Sequence, residues 1–165
     1  MDLPKRKPTR LKEFDYSAPG AYFITICVKD RKNLLSEIVG DGVFDVPQNI
    51  LTKYGEIAEE YINQMNEFYD YLSVDKYAIM PNHIHLILFV TDSENGTSRT
   101  PSPTNSVVSK FISTFKRFCN KEFGENIWQR SYHDHIIRGE KDYRNIWEYI
   151  DTNVQRWELD CFYND

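Results

Sequence analysis

Residues 74–90 read Val74-Asp-Lys-Tyr-Ala-Ile-Met80-Pro81-Asn82-His83-Ile84-His85-Leu86-Ile-Leu-Phe-Val90. Pro81-Asn82 interrupts two strand-like runs, 74–80 and 84–90, because proline fixes φ and removes a ladder donor. The second run is apolar on both faces, as a strand in the middle of a covered sheet must be. His83 and His85 are two residues apart where that strand begins, so their side chains leave one face a single pleat apart. That spacing lets two imidazoles share one divalent cation. A strand this apolar has no packing reason to carry two polar rings. The alternative is a structural pair at a strand mouth, bonded to loop carbonyls, and the motif alone leaves both readings open.

Working outward, residues 21–28 are β-branched and aromatic behind Pro19-Gly20 and read as a strand. Residues 50–69 place Ile50, Tyr54, Ile57, Ala58, Tyr61, Ile62, Met65 and Phe68 at helical spacing, and 106–122 repeat the pattern through Val108, Phe111, Ile112, Phe115 and Cys119. Residues 131–138 read as a short strand. Tyr143, Ile146, Trp147, Ile150, Val154 and Trp157 mark a final helix running on to Trp157. The order β-α-β-β-α-β-α begins with the split βαβ arrangement. The expected class is therefore α+β, a ferredoxin-like antiparallel sheet with two helices on one face and an additional C-terminal helix. Residues 39–49, carrying Gly40, Gly42 and Pro47, read as a connector.

The chain has 165 residues, 41% of them hydrophobic and 15% aromatic, enough for one domain with a real core. No apolar run of about 20 residues exists to span a membrane, and no apolar segment follows the basic N-terminus as a signal peptide requires. Three scattered cysteines fit a reducing compartment, so the expected location is the cytoplasm. A single domain is expected over 19–165, with a basic arm before it and a flexible loop within it. Residues 1–18 form a basic arm, in which Lys5, Arg6, Lys7, Arg10 and Lys12 face only Asp2 among the first twelve residues. Residues 91–106 are nearly devoid of apolar side chains and read as a flexible loop. The net charge of -5 does not exclude a nucleic-acid partner, because a basic arm acts locally, within a Debye length of about 8 Å.

A second pair, His133 and His135 around Asp134, would with the first make a zinc or two-metal hydrolase. Alternation with Tyr132, Asp134 and Ile136 favours a structural or supporting role, with His135 the member directed toward a site. Tyr149 and Asn153 are i and i+4 on one helical stripe at the border of the buried face. Periodicity assigns neither a role beyond packing.

Taken together, Pro19-Gly-Ala-Tyr-Phe-Ile-Thr25, Met80-Pro-Asn-His-Ile-His-Leu86, Trp128-Gln-Arg-Ser-Tyr-His-Asp-His-Ile-Ile-Arg138, Tyr149-Ile-Asp-Thr-Asn153 and Trp157-Glu-Leu-Asp160 resemble, in order and spacing, the REP-associated tyrosine transposases, a branch of the single-tyrosine HUH transposases. The resemblance implies that Tyr149 is the nucleophile. It implies too that His83 and His85 hold Mg²⁺ or Mn²⁺, with Asn153 as a further ligand one turn after the tyrosine. Relatives commonly carry proline after this asparagine, where this chain has Val154. The implied substrate is single-stranded DNA beside a hairpin, cut through a 5′-phosphotyrosine and rejoined, by a monomer or a homodimer. Arg6, Lys7, Arg10, Lys12, Lys110, Lys116 and Arg117 are candidate DNA-binding residues. Two other readings stay open: a domesticated binder of hairpin DNA without turnover, and a metal hydrolase using both His-x-His pairs.

Overall fold

The computed structural model describes residues 10–11, 14–40, 43–92 and 106–164. In chain order its elements are β1 (Gly20–Cys27), β2 (Ser36–Val39), β3 (Gln48–Leu51), α1 (Lys53–Phe68), β4 (Leu72–Ile79), β5 (His83–Val90), α2 (Val107–Phe123), β6 (His133–Ile137) and α3 (Glu140–Asp151). The main sheet has the order β4-β5-β1-β6, every neighbour antiparallel. With α1 and α2 as the two crossovers, this is the ferredoxin-like arrangement expected, and β5 lies inside it. No helix among the described residues is long and apolar enough to cross a membrane.

Register separates the two faces of the sheet. Ile24 and Ile26 of β1 stand opposite Leu86 and Ile84 of β5, which stand opposite Tyr77 and Ile79 of β4. Directly opposed residues share a face, and this one packs on Ala58, Ile62 and Met65 of α1 and Val108, Phe111, Ile112 and Phe115 of α2. Each fully buried Ile, Leu or Phe contributes about 1.5–3 kcal/mol, so this layer supplies most of the stabilisation. The opposite face carries Thr25 and Cys27 of β1, His83 and His85 of β5, and Ala78 of β4. It is partly covered by α3, which packs on β4 and β5.

Three expectations are corrected. The connector read over 39–49 joins two strands that were not expected, its ends Val39 and Gln48–Asn49 lying in β2 and β3, an antiparallel hairpin that pairs Ser36 with Leu51 and Val39 with Gln48. Its side chains alternate without a long apolar run, which hid the strands. Consequently Ile50, apolar and in helical phase, lies in β3 and is 53% exposed. The helix starts at Lys53, where the Thr52 hydroxyl accepts from the Gly55 N–H. The third correction is at the last helix, which ends at Asp151 rather than running to Trp157. The Thr152 N–H returns to the Glu148 carbonyl and the Asn153 N–H to Ile150, after which turns lead to a short 3₁₀ segment, Trp157–Leu159. Val154 therefore stands outside the helix without proline to break it. Of the loop expected over 91–106, residues 93–105 lie outside the described residues; Ser106 caps α2 by accepting from the Ser109 N–H.

The Leu35 carbonyl accepts from both the N–H and the hydroxyl of Thr52, seating the first turn of α1 against the backbone. A Cβ on Gly55 would come within 2.1 Å of that oxygen. Gly→Ala inside a helix ordinarily gains up to about 1 kcal/mol. Here Gly55→Ala is expected to cost about 2 kcal/mol or more, lowering the thermal midpoint by about 4–8 °C in a melt followed by circular dichroism.

Candidate active site

The antiparallel register puts Thr25 opposite His85 and Cys27 opposite His83, so both imidazoles leave the face turned away from α1 and α2. They are buried, and their Nε2 atoms stand 3.0 Å apart. Each ring is held from behind. His83 Nδ1 lies 2.8 Å from Asn82 Oδ1, and His85 Nδ1 lies 2.8 Å from Thr25 Oγ1. Such contacts to the far ring nitrogen orient a histidine used as a ligand.

The chain after α3 turns back over this pair. The Phe162 ring centroid lies 4.5 Å from that of His83, and Trp157 lies 6.0 Å away. Between them Asp160 enters the site. Its Oδ1 accepts from the Phe162 N–H at 2.8 Å, while its Oδ2 accepts from Asn153 Nδ2 at 2.9 Å and from the Tyr149 hydroxyl at 3.3 Å. The Asp160 side chain is 1% exposed, with Oδ2 4.0 Å from His83 Nε2. Tyr149 Oη is also 3.4 Å from His85 Nε2, and its ring meets Phe23 edge-on. His83, His85, Tyr149 and Asn153 thus converge, and Asp160 joins them.

Electrostatics follow from this burial. Desolvation pushes the His83 imidazole down to about 4, against the pull of the Asp160 carboxylate, and pushes His85 well below its usual 6.5, with His83 adding to the effect. Both rings are therefore neutral at physiological pH, as metal coordination requires. Burial, with the negative Asp160 beside it, pushes the Tyr149 phenol up to about 12. A positive charge placed among these atoms would oppose that shift.

The donor atoms of His83, His85 and Asp160 all lie within 4.8 Å of one another. Two neutral imidazoles and a carboxylate suit a first-row divalent cation. Asn153 fits the same set: with Nδ2 given to Asp160, its Oδ1 is a buried acceptor without a donor. The other candidates lie elsewhere. His133 and His135 share the face of the first pair, opposite Thr25 and Phe23, but both are exposed, and His135 Nε2 is 2.9 Å from Asp142. Arg10 lies 3.9 Å over the Tyr132 ring and 3.7 Å from Asp134, a packing role within the fold. Lys116 donates to the Gln129 and Ser131 carbonyls. Lys110 and Arg117 are exposed on α2, the latter beside Arg130 on a groove of about 380 Å³. Arg6, Lys7 and Lys12 lie outside the described residues. Sequence reasoning missed Asp160, Thr25 and Asn82 as site residues. All three lie in the stretches that carried the family resemblance, which did not single them out as site residues.

A model described as "Transposase IS200 like" matches residues 19–153, most of the chain and all four converging positions of the histidine, tyrosine and asparagine set. The chain belongs to the IS200-like transposase family. Its function is therefore of the transposase type, that of an enzyme that cleaves and joins DNA. This transposase is 31% identical to an uncharacterized protein of Haemophilus influenzae, covering 97% of this chain and 94% of that one. It is 22% identical to the REP-associated tyrosine transposase of Escherichia coli K12, over 91% of this chain and 81% of the relative. Among solved structures, a REP-associated tyrosine transposase bound to a REP hairpin shares the fold, with a TM-score of 0.60 at 20% identity over 97% of this chain and 76% of the other.

The neutral histidines make the metal-free transposase sensitive to acid. The unfolded chain binds a proton at His83 near pH 6.5, the folded chain only near 4. The folded state is therefore fully favoured above about pH 6.5 and loses stability as pH falls toward 4, because the unfolded state binds more protons there. Urea titrations of metal-free protein between pH 7.5 and 5 should show a steep loss, and His83→Gln should flatten it. Equal slopes for the two proteins would contradict the buried, neutral assignment.

Proposed function

We propose that the chain is a metal-dependent endonuclease and strand-transferase for single-stranded DNA, acting through a 5′-phosphotyrosine beside a DNA hairpin. The observation that carries this is the placement of the Tyr149 hydroxyl, 3.3 Å from Asp160 Oδ2 and 3.4 Å from His85 Nε2, at the mouth of a buried His-His-Asp cluster. In this reading His83, His85 and Asp160 hold Mg²⁺ or Mn²⁺, and the Asn153 amide steadies Asp160 while offering its oxygen as a further donor. A cation held there supplies Lewis-acid polarisation of a phosphate oxygen.

Everything else falls to the chain's own groups. Tyr149 Oη attacks the scissile phosphorus in line; the Oη–P bond forms and the P–O3′ bond breaks. The phenol proton passes to Asp160 Oδ2, and the departing 3′ oxygen takes a proton from solvent, leaving a free 3′-OH and the 5′ phosphate on Tyr149. The new phosphodiester retains the energy of the old, so a 3′-OH can reverse the step and join strands. Phe23, edge-on to Tyr149, limits the ring's rotation and holds Oη on the histidines. Hairpin DNA as the partner is supported by the solved relative's bound REP hairpin. Arg6, Lys7, Lys12, Lys110 and Arg117 are its candidate contacts, and the groove lined by Arg117 and Arg130 adds a site for the backbone.

Incubation of the protein with single-stranded hairpin oligonucleotides from the DNA flanking its gene, with Mn²⁺, should give a covalent adduct on a denaturing gel. Tyr149→Phe and excess chelator should each abolish it. Cleavage without an adduct, unchanged in Tyr149→Phe, would overturn the tyrosine mechanism; binding without cleavage would favour a domesticated binder. Asp160→Asn should slow adduct formation by about 10²-fold or more. If Asp160 serves mainly as proton acceptor, Mn²⁺ affinity measured by calorimetry stays near wild type; if mainly as ligand, affinity falls with the rate.

A further inference from the structure

The ladder between β4 and β5 is regular except at one point. Val74 stands opposite Leu88 and Lys76 opposite Ile87, so Asp75 is an extra residue without a partner in β5, a β-bulge. Val74 and Tyr77 are three residues apart, yet both face α1 and α2, because Leu88 and Leu86 opposite them belong to that core. Strict alternation would send only one residue between them to the other side of the sheet. The bulge sends two, and both Asp75 and Lys76 reach α3. Asp75 accepts a hydrogen bond from the Tyr143 hydroxyl. Lys76 Nζ donates to Asp151 Oδ1 at 2.6 Å and lies 3.8 Å over the Trp147 ring.

Tyr143, Trp147 and Asp151 are four residues apart and form one stripe along α3. At 3.6 residues per turn that stripe lies about 80° to one side of Ile146 and Ile150, and Tyr149 lies about 80° to the other. Ile150 is buried, so the helix rests on this middle line, gripped by β4 on one flank and presenting Tyr149 to His85 and Phe23 on the other. A roll of about 10° around the helix axis moves a side-chain tip 5–6 Å from that axis by about 1 Å. A reacting group misplaced by about 1 Å loses about 10²-fold in rate.

We propose that Asp75 and Lys76, brought side by side by the bulge in β4, are positioning residues that clamp α3 against rolling and so hold the Tyr149 hydroxyl at the histidine pair. The inference rests on the reading of Tyr149 as the nucleophile. Lys76 and Asp151 are both partly exposed, and exposed pairs add little to global stability. Loss of the clamp therefore shows as a misplaced hydroxyl in a folded chain. Lys76→Met keeps the apolar stem and removes the cation, whereas arginine can still pair with Asp151 and stack on Trp147. Tyr143→Phe removes the hydroxyl that Asp75 accepts from.

Single-turnover adduct formation by the full chain, on a saturating hairpin oligonucleotide with Mn²⁺, reads the effect on rate. Lys76→Met combined with Tyr143→Phe should slow it by about 10–100-fold. The Kd for the oligonucleotide should stay at the wild-type value and the thermal midpoint within about 2 °C of it. Lys76→Arg alone should keep a near wild-type rate. Nuclear Overhauser cross-peaks between the ring protons of Tyr149 and Phe23, whose centroids are 6.1 Å apart, read the position of the tyrosine without DNA. They are expected in wild type and in Lys76→Arg, and weakened or absent in the double variant. A wild-type rate with undiminished cross-peaks in the double variant would overturn the proposal, as would a rate loss matched by a large fall in the midpoint. A wild-type chain that forms no adduct would instead sink the phosphotyrosine reading, and the cross-peaks would still decide the clamp separately.

Discussion

The antiparallel ladder between β1 and β5 is the constraint on which the rest of the site depends. One register places Ile24 and Ile26 against the two helices and, on alternate residues, Thr25 and Cys27 against His85 and His83. A slip of one residue would exchange the faces, driving two imidazoles into the apolar core and exposing four large aliphatic side chains. Burial of the core and orientation of the histidines are therefore the same event. Because β1 and β5 are the two inner strands, both histidines sit where the backbone is held on both sides.

That rigid pair is completed by a segment with almost no secondary structure of its own. After α3 ends at Asp151, Asn153, Trp157, Asp160 and Phe162 fold back across the histidines, tied by Asn82 to the Phe162 carbonyl and by Asn164 to the Arg31 carbonyl. Arg31 and its neighbour Asp30 take positive φ, at 53° and 56°, an uncommon conformation for residues other than glycine. The strained turn presents the Arg31 carbonyl to both asparagines. The carboxylate of Asp160 thus reaches the site from a loop, positioned by hydrogen bonds rather than by a helix or strand.

Periodic parts of this architecture were legible before any coordinates. The doubly apolar run 84–90, the two amphipathic helices and the His-x-His spacing follow from alternation and 3.6-residue repeats, and these place His83 and His85 correctly on one face. Tyr149 entered only through resemblance, since a tyrosine at the edge of a helical stripe is commonplace in a chain with 11 of them. Asp160 escaped because no period links it to the histidines; its place depends on turns after residue 151. The β2–β3 hairpin escaped for a related reason, being short and half-exposed, with Ile50 in phase with the helix that follows. Arg10 looked like part of a solvated basic arm, yet it is drawn onto Tyr132 and Asp134, an interaction that charge counting cannot foresee.

The central claim is that His83 and His85 together bind one divalent cation. Pulsed electron paramagnetic resonance of Mn²⁺ added to ¹⁵N-histidine-labelled protein tests it most directly, because each coordinated imidazole nitrogen gives its own hyperfine coupling. Two coordinated nitrogens, reduced to one in His83→Gln and in His85→Gln but unchanged in His133→Gln, are expected. No coupling, or a coupling lost on replacing His133, would contradict it.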